Sequence, residues 1–240
     1  MEDNKGAIKM LDKFVDRTGR KPSGWFGKKM YSNPRGHYKS FRWTLDKLQL
    51  KPDDIFLEIG CGGGVLLNMA LETVKHAKAI DHSSDMVQIA REKNQEAVSE
   101  GRVEIVQGNA ESLPWDDNSF TCATASNMFF FIEKPLIVLN EFYRVLKPDG
   151  RLVITSTEDS ILPKLLFVPW SRSLHLYKNS DMESMLKQAG FQRVEVKNLW
   201  WLLQLSYAEL KMITLKDRIE MKTTPENIFE WFVHLDENFF

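Results

Sequence analysis

"DIFLEIGCGGGVLLNMALE", residues Asp54 to Glu72, passes from apolar to glycine-packed and back to apolar within nineteen positions. "IFLEI" (55–59) reads as a strand, and "VLLNMALETV" (65–74) places Val65, Leu66, Met69 and Ala70 on one helix face. Between them four glycines fall within the five residues Gly60 to Gly64. Glycine lets the backbone take positive φ and lets a neighbour approach without meeting a Cβ. Such a loop between a strand and a helix N-terminus suits a nucleotide-like ligand.

Spacing narrows the ligand. A dinucleotide fingerprint counted from Gly60 or Gly62 needs glycine at 65 or 67, where Val65 and Leu67 stand. The Gly-Lys-Ser/Thr ending of a P-loop is missing. What remains is Glu58, Gly60, Gly62 and Gly64 in an E-x-G-x-G-x-G pattern. A carboxylate there suits a ligand with a cationic end and repels a pyrophosphate.

Outward from the loop, short apolar runs alternate with helical periodicity. Strands are expected at 77–81, 103–107, 120–126 and 151–156, with helices at 84–98 and 134–147 and a "KPDG" turn before the 151–156 strand. That alternation implies a parallel sheet covered by helices on both faces, with the ligand crevice at the strand carboxyl ends. Further on, an aromatic segment (161–177) precedes a helix near 180–189, the late strands "FQRVEV" and "WWLLQLSY", and a tail helix opened by Thr224-Pro225. An amphipathic helix with Ile8, Leu11, Phe14 and Val15 begins the leader.

Bulk composition sets the outer limits. The 240 residues, 43% hydrophobic and 27% charged, suit one globular domain with additions. The acidic start lacks a secretory apolar core, no apolar run reaches the roughly 20 residues of a membrane span, and Cys61 and Cys122 form no disulfide or metal pattern. A cytoplasmic setting and no metal are expected. Residues 1–51 carry 13 Lys and Arg against 5 Asp and Glu, a surplus of +8, while residues 52–240 carry 19 against 28. A basic leader could meet an anionic partner or dock on its own acidic body.

The glycine loop resembles motif I of the class I S-adenosylmethionine (SAM)-dependent methyltransferases, and three further stretches match that family in order. "AIDHSSDMVQIAREKN" resembles the second motif, "GNAESLPWDDNSF" the adenine loop, and "FYRVLKPDGRLVITS" the turn into the fifth strand. Together they cover about residues 53–157, and the nearest likeness is to ubiquinone/menaquinone-type small-molecule methyltransferases, type 11-like. The resemblance implies a doubly wound α/β fold with a seven-stranded, mostly parallel sheet. It implies an N-terminal helical cap or lid (1–50), a SAM-binding core (51–205) with a substrate-side insert around 160–178, and a C-terminal extension (206–240).

The contacts implied for SAM follow the same motifs. Gly60, Cys61, Gly62 and Gly64 would face the methionine half, with Glu58 at its ammonium. Asp81 would take the ribose hydroxyls, since a carboxylate accepts both bonds. His82 and Met86 would border the adenine, beside Asn109, Ala110 and Glu111. Ser126 and Asn127 would lie near the departing methyl, and Tyr31 in the leader would close over the cofactor. Two positions depart from the family: Asn109 and Thr121 stand where aspartate is usual. Phe129, Phe130 and Phe131 follow the fourth strand where many relatives carry histidines, and with Trp170, His175, Tyr177, Trp200 and Trp201 they suggest an apolar or aromatic acceptor methylated at carbon or oxygen.

No catalytic residue is singled out. His37 and Tyr38 in the leader, and Glu158 and Asp159 after the fifth strand, are candidates weighed against solvated loop and turn roles. Cys61 as nucleophile is weighed against a passive loop position. Phe229, Trp231, Phe232, Phe239 and Phe240 are expected to dock on the body or on a second subunit, as a monomer or homodimer. DNA is not an expected partner. A non-catalytic SAM-binding role, or an RNA or protein acceptor served by the basic leader, stands as the alternative.

Overall fold

The computed structural model describes Ser32, residues 34–157, Asp159, residues 174–200 without the Trp200 side chain, and residues 203–210. The first amphipathic pattern, Tyr31, Glu158, Trp170, Trp201 and the tail with its aromatics lie outside the described residues.

Seven strands form one sheet: β1 (Ile55–Ile59), β2 (His76–Asp81), β3 (Val103–Gln107), β4 (Phe120–Ser126), β5 (Leu146–Ser156), β6 (Arg193–Trp200) and β7 (Leu203–Glu209). Their order is β3-β2-β1-β4-β5-β7-β6. β1 to β5 pair in parallel, and β7 joins β5 and β6 antiparallel. The chain winds outward from β1 to β3, then returns to place β4 on the other side of β1. That switch opens a crevice at the carboxyl ends of β1 and β4. The strand spanning the expected 205/206 boundary continues to Glu209, and the compact unit holding the sheet reaches Leu210.

Helices α1 (Tyr38–Leu48), α2 (Val65–Ala70), α3 (Ser84–Lys93), α4 (Gln95–Ser99), α5 (Pro135–Val145) and α6 (Asn179–Gln188) cover both faces. One apolar cluster joins Phe56, Ala79, Cys122 and Val153 to Phe41 and Leu48 of α1, Leu66 of α2 and Val87 of α3. The other joins Leu57, Ile59 and Ile154 to Leu139 and Phe142 of α5 and Met182 and Leu186 of α6. Strands buried on both faces explain why "IFLEI" and "FTCATAS" read as near-continuous apolar runs. Within the described leader, Lys47 of α1 pairs with Glu195 on β6 and lies over the Tyr207 ring at 4.5 Å. Basic leader and acidic body therefore meet within the molecule at this point.

Three elements differ from expectation. The helix of 84–98 is two helices, α3 and α4, because Asn94 turns its side-chain amide inward, donating to Gly64 O at 3.1 Å and Ala90 O at 2.9 Å. The helix after the glycine loop stops at Ala70. The "KPDG" segment lies within β5, whose pairing with β4 shifts register between Phe120 and Cys122, with Asp149 at φ 63°. Thr121 has a local task at the opposite edge of the sheet from the crevice. Its hydroxyl accepts Ile55 N–H at 2.9 Å and donates to Asp54 at 2.7 Å, and Asp54 also pairs with Arg151.

Candidate active site

The β1–α2 loop turns back across the end of β2, where Gly60 and Cys61 donate their N–H groups to Ile80 O at 2.8 and 3.2 Å. Gly60, Gly62 and Gly64 have φ of 71°, 50° and 72°, a region closed to most side chains. Two of them are also filled from within the protein. A Cβ on Gly60 would come 2.6 Å from Met128 Cγ, and one on Gly64 would come 2.9 Å from Ala90 Cα and 2.7 Å from Asn94 Nδ2. Gly64 therefore packs the loop on α3, and it does not line the cavity above the loop.

That cavity holds about 630 Å³, within the usual size of a small-molecule site. Its polar end is built on two buried carboxyl groups. Asp81, closing β2, accepts Gly62 N–H on Oδ2 and Ser83 N–H on Oδ1, both at 2.9 Å. Burial raises its pKa, while those two N–H groups and His82 pull it back. Glu58 is pushed well above the carboxylate range, first by burial and then by the charge of Asp81, with Leu67 N–H opposing. Its buried Oε2 has no partner. A buried carboxyl oxygen left unpaired is costly, so a cationic group bound here would both satisfy it and restore its ionised form.

Cys61 lines the same wall, but burial and the two neighbouring carboxyl groups raise its thiol well above the ordinary range. The nucleophile is the thiolate, so Cys61 is not poised for attack.

Beyond Asp81, the cavity is bordered by His82, Met86, Gln107, Gly108, Asn109, Ala110 and Glu111. Met86 is fully buried. Asn109 Oδ1 accepts Glu111 N–H at 3.0 Å, closing a tight turn. That bond takes one lone pair of the carboxamide oxygen, which leaves its second lone pair and the Nδ2 donor to meet a ligand edge.

The other end lies where β4 stops. Ser126 Oγ sits 2.8 Å from Thr155 Oγ1, and Asn127, at φ 56°, donates its backbone N–H to Thr155 O at 3.0 Å. Asn127 Nδ2 reaches across to Ser40 Oγ on α1 at 2.7 Å, which brings the described part of the leader to the crevice. Pro34, His37 and Phe41 complete that wall, with Met128, Phe131 and Ile132. Burial lowers the His37 pKa, so its imidazole is neutral at neutral pH.

Of the residues expected to contact the cofactor, Glu58, Gly60, Cys61, Gly62, Asp81, His82, Met86, Asn109, Ala110, Glu111, Ser126 and Asn127 line this one cavity. Gly64 does not, and Tyr31 lies outside the described residues. The three phenylalanines divide. Phe129 is fully buried in the core against Tyr177, whose ring is 6.3 Å away, whereas Phe131 lines the cavity with the Phe130 ring set edge-on to it, 4.6 Å between centroids. His175 donates its backbone N–H to Phe130 O at 2.7 Å, a role in packing the segment. Met128 and Phe41 carried no signal beyond apolarity, and only the loop's need for a filler at Gly60 could have pointed to Met128.

Among the described residues no group of three or more His, Cys, Asp or Glu could hold a metal ion, and no helix is long and apolar enough to cross a membrane.

Comparison with known proteins gives a consistent picture. Residues 57–154 match the model of a methyltransferase domain. A demethylmenaquinone methyltransferase from Oceanobacillus iheyensis is 27% identical over 190 residues, spanning 67% of this chain and 79% of that protein. A ubiquinone/menaquinone biosynthesis C-methyltransferase from Vibrio cholerae is 32% identical over 186 residues, spanning 66% of this chain and 72% of that protein. Among solved structures, phosphoethanolamine N-methyltransferase 2 from Haemonchus contortus, in complex with S-adenosyl-L-methionine, aligns with a TM-score of 0.70 at 18% identity, over 84% of this chain and 60% of that one. At that identity the likeness speaks for the fold.

Proposed function

The chain belongs to the class I SAM-dependent methyltransferases of the ubiquinone/menaquinone type, and from that premise we propose that it methylates a ring carbon of a reduced quinone. It is a methyltransferase, and SAM is its cofactor. When bound, SAM supplies an electrophilic methyl group on a positively charged sulfur.

The protein's part is to bind, orient and keep water out. Glu58, with its unpartnered Oε2, takes the ammonium end, and Asp81 uses its remaining lone pairs for the ribose hydroxyls. Met86 would border the base, and the backbone of Ala110 and Glu111 and the Asn109 amide would offer it polar partners. Ser126 and Asn127 stand at the reactive end. Holding donor and acceptor in line is worth up to roughly 7–11 kcal/mol of the barrier. Water kept from the site strengthens every charge interaction within it.

One observation carries the acceptor reading: Phe41, Met128, Phe131 and Ile132 line the cavity, with Met128 over Gly60, and give it apolar surface suited to a flat ring with a hydrocarbon substituent. The names of the relatives point to the same class of acceptor. The test is transfer of labelled methyl from SAM to a short-chain prenylated naphthohydroquinone, to its oxidised quinone, to simple phenols and amines, and to RNA. Label on a ring carbon of the reduced quinone alone is the expected result. Label on RNA or amines, with none on the hydroquinone, would refute the proposal.

A further inference from the structure

The transfer needs somewhere for a proton to go. When a ring carbon gives its electron pair to the methyl, the S–CH₃ pair stays on sulfur, a C–CH₃ bond forms, and the ring hydrogen replaced by the methyl must leave as a proton. An ionisable side chain at the reactive end would take it.

Seven such side chains line the cavity: His37, Glu58, Cys61, Asp81, His82, Glu111 and Glu133. Glu58, Cys61 and Asp81 cluster at the polar end around the glycine loop. His82 sits beside Asp81, with its Nδ1 3.7 Å from Oδ1. Glu111 belongs to the Asn109 turn and pairs with Lys134 at 3.4 Å, and Glu133 has an interaction of its own. Glu58 lies in register with Thr124 of β4, but its carboxyl group sits at the glycine loop, whereas His37 is linked through Ser40 to Asn127, just past β4. The His37 backbone carbonyl accepts Ser40 Oγ at 2.8 Å, and the same Ser40 Oγ accepts Asn127 Nδ2 at 2.7 Å. Its ring stands edge-on to Phe41, 5.9 Å between centroids at 88°, and among the described residues no side chain bonds its ring nitrogens.

We propose that His37 is the catalytic base of the methyl transfer, its unprotonated ring nitrogen receiving the proton that the incoming methyl displaces from the acceptor and passing it to solvent at the cavity mouth. The inference rests on the methyl-donor reading of the cavity and deepens it. Burial keeps the imidazole neutral, the form that accepts a proton. The chain from the His37 backbone carbonyl through Ser40 to Asn127 anchors the His37 backbone at the crevice, and the Phe41 ring packs edge-on against the imidazole, so that Ser40, Asn127 and Phe41 are positioning residues.

The test combines binding with turnover. Protein carrying ¹³C-labelled histidine is saturated with S-adenosylhomocysteine and titrated with 1-naphthol, a stable phenolic stand-in for the acceptor, the His37 signal being assigned by its loss in His37→Gln. That signal is expected to shift and to saturate with the naphthol. His37→Gln is expected to bind S-adenosylhomocysteine like the wild type while its kcat on the prenylated naphthohydroquinone falls by about 10²–10⁴-fold, the usual worth of a positioned base. Added imidazole should restore part of the lost rate in His37→Ala. A His37 signal unmoved at naphthol saturation, or a His37→Gln kcat within about threefold of wild type, overturns the inference and leaves the donor site standing. Failure of the wild type to bind S-adenosylhomocysteine overturns both.

Discussion

Gly64→Ala separates the two reasons for a glycine in the central loop, and Gly101→Ala is its internal control. Both positions have nearly the same backbone angle, φ +72° and +71°, so both variants carry the same left-handed strain. That strain costs about 1–2 kcal/mol, partly offset by about 0.4–1 kcal/mol from a less flexible unfolded chain. At Gly101 nothing lies within 4 Å of the added methyl, and the net loss should stay near ~0.5–1 kcal/mol. At Gly64 the methyl would meet Ala90 Cα at 2.9 Å and Asn94 Nδ2 at 2.7 Å. Overpacking of that kind adds about 1–3 kcal/mol and also disturbs the Asn94 amide that separates α3 from α4. Urea unfolding of both variants, read by circular dichroism, gives the comparison. Gly64→Ala should be less stable than Gly101→Ala by about 1–3 kcal/mol. Equal losses would refute the packing role assigned to Gly64.

Three further outcomes follow from the same site. Glu58 has a folded pKa above its unfolded one, so its stability contribution is complete below the ordinary carboxylate range and is lost as pH rises from there toward the folded pKa. Glu58→Gln should therefore gain stability relative to wild type as pH rises above the ordinary carboxylate range, and denaturant midpoints that move in parallel would contradict this. Phe129→Ala should cost about 3–5 kcal/mol of stability, whereas Phe131→Ala, at the cavity wall, should cost less and raise the acceptor KM; equal stability losses would argue against the division. Both cysteines are buried with raised thiol pKa values, Cys122 pushed up to about 12. Neither should react with iodoacetamide in the folded protein at a rate near that of a free thiol, as timed mass spectrometry would show.

Much of the fold could be read in advance because its signals are local. Ile55–Ile59 and Phe120–Ser126 stand as expected, since strands buried on both faces leave near-continuous apolar runs between turns, and Val103–Gln107, at the sheet edge, alternates buried Val103 and Ile105 with exposed Glu104. The break at Asn94 was hidden: its cause is a hydrogen bond to Gly64, thirty residues away. The register shift of β5 was hidden too, because it depends on how Leu146 and Arg151 pair with β4. At the site, Glu58 and Asp81 were legible from their places beside the loop and at the end of β2. Met128 filling the space over Gly60 is a consequence of tertiary geometry, whereas the bond of Asn109 to Glu111 N–H, two residues on, is a local turn. The phenylalanine run read as one apolar feature, and the 3₁₀ turn Phe129–Phe131 sends one ring to the core and another to the cavity.

The most direct measurement is calorimetric titration of S-adenosylhomocysteine into the wild type and Asp81→Ala. Wild-type protein should bind one molecule, and the variant should bind more weakly by about 1.5–3 kcal/mol, the worth of hydrogen bonds to a charged group. Equal affinities would remove the ribose from Asp81, and no binding to the wild type would contradict the account at its root.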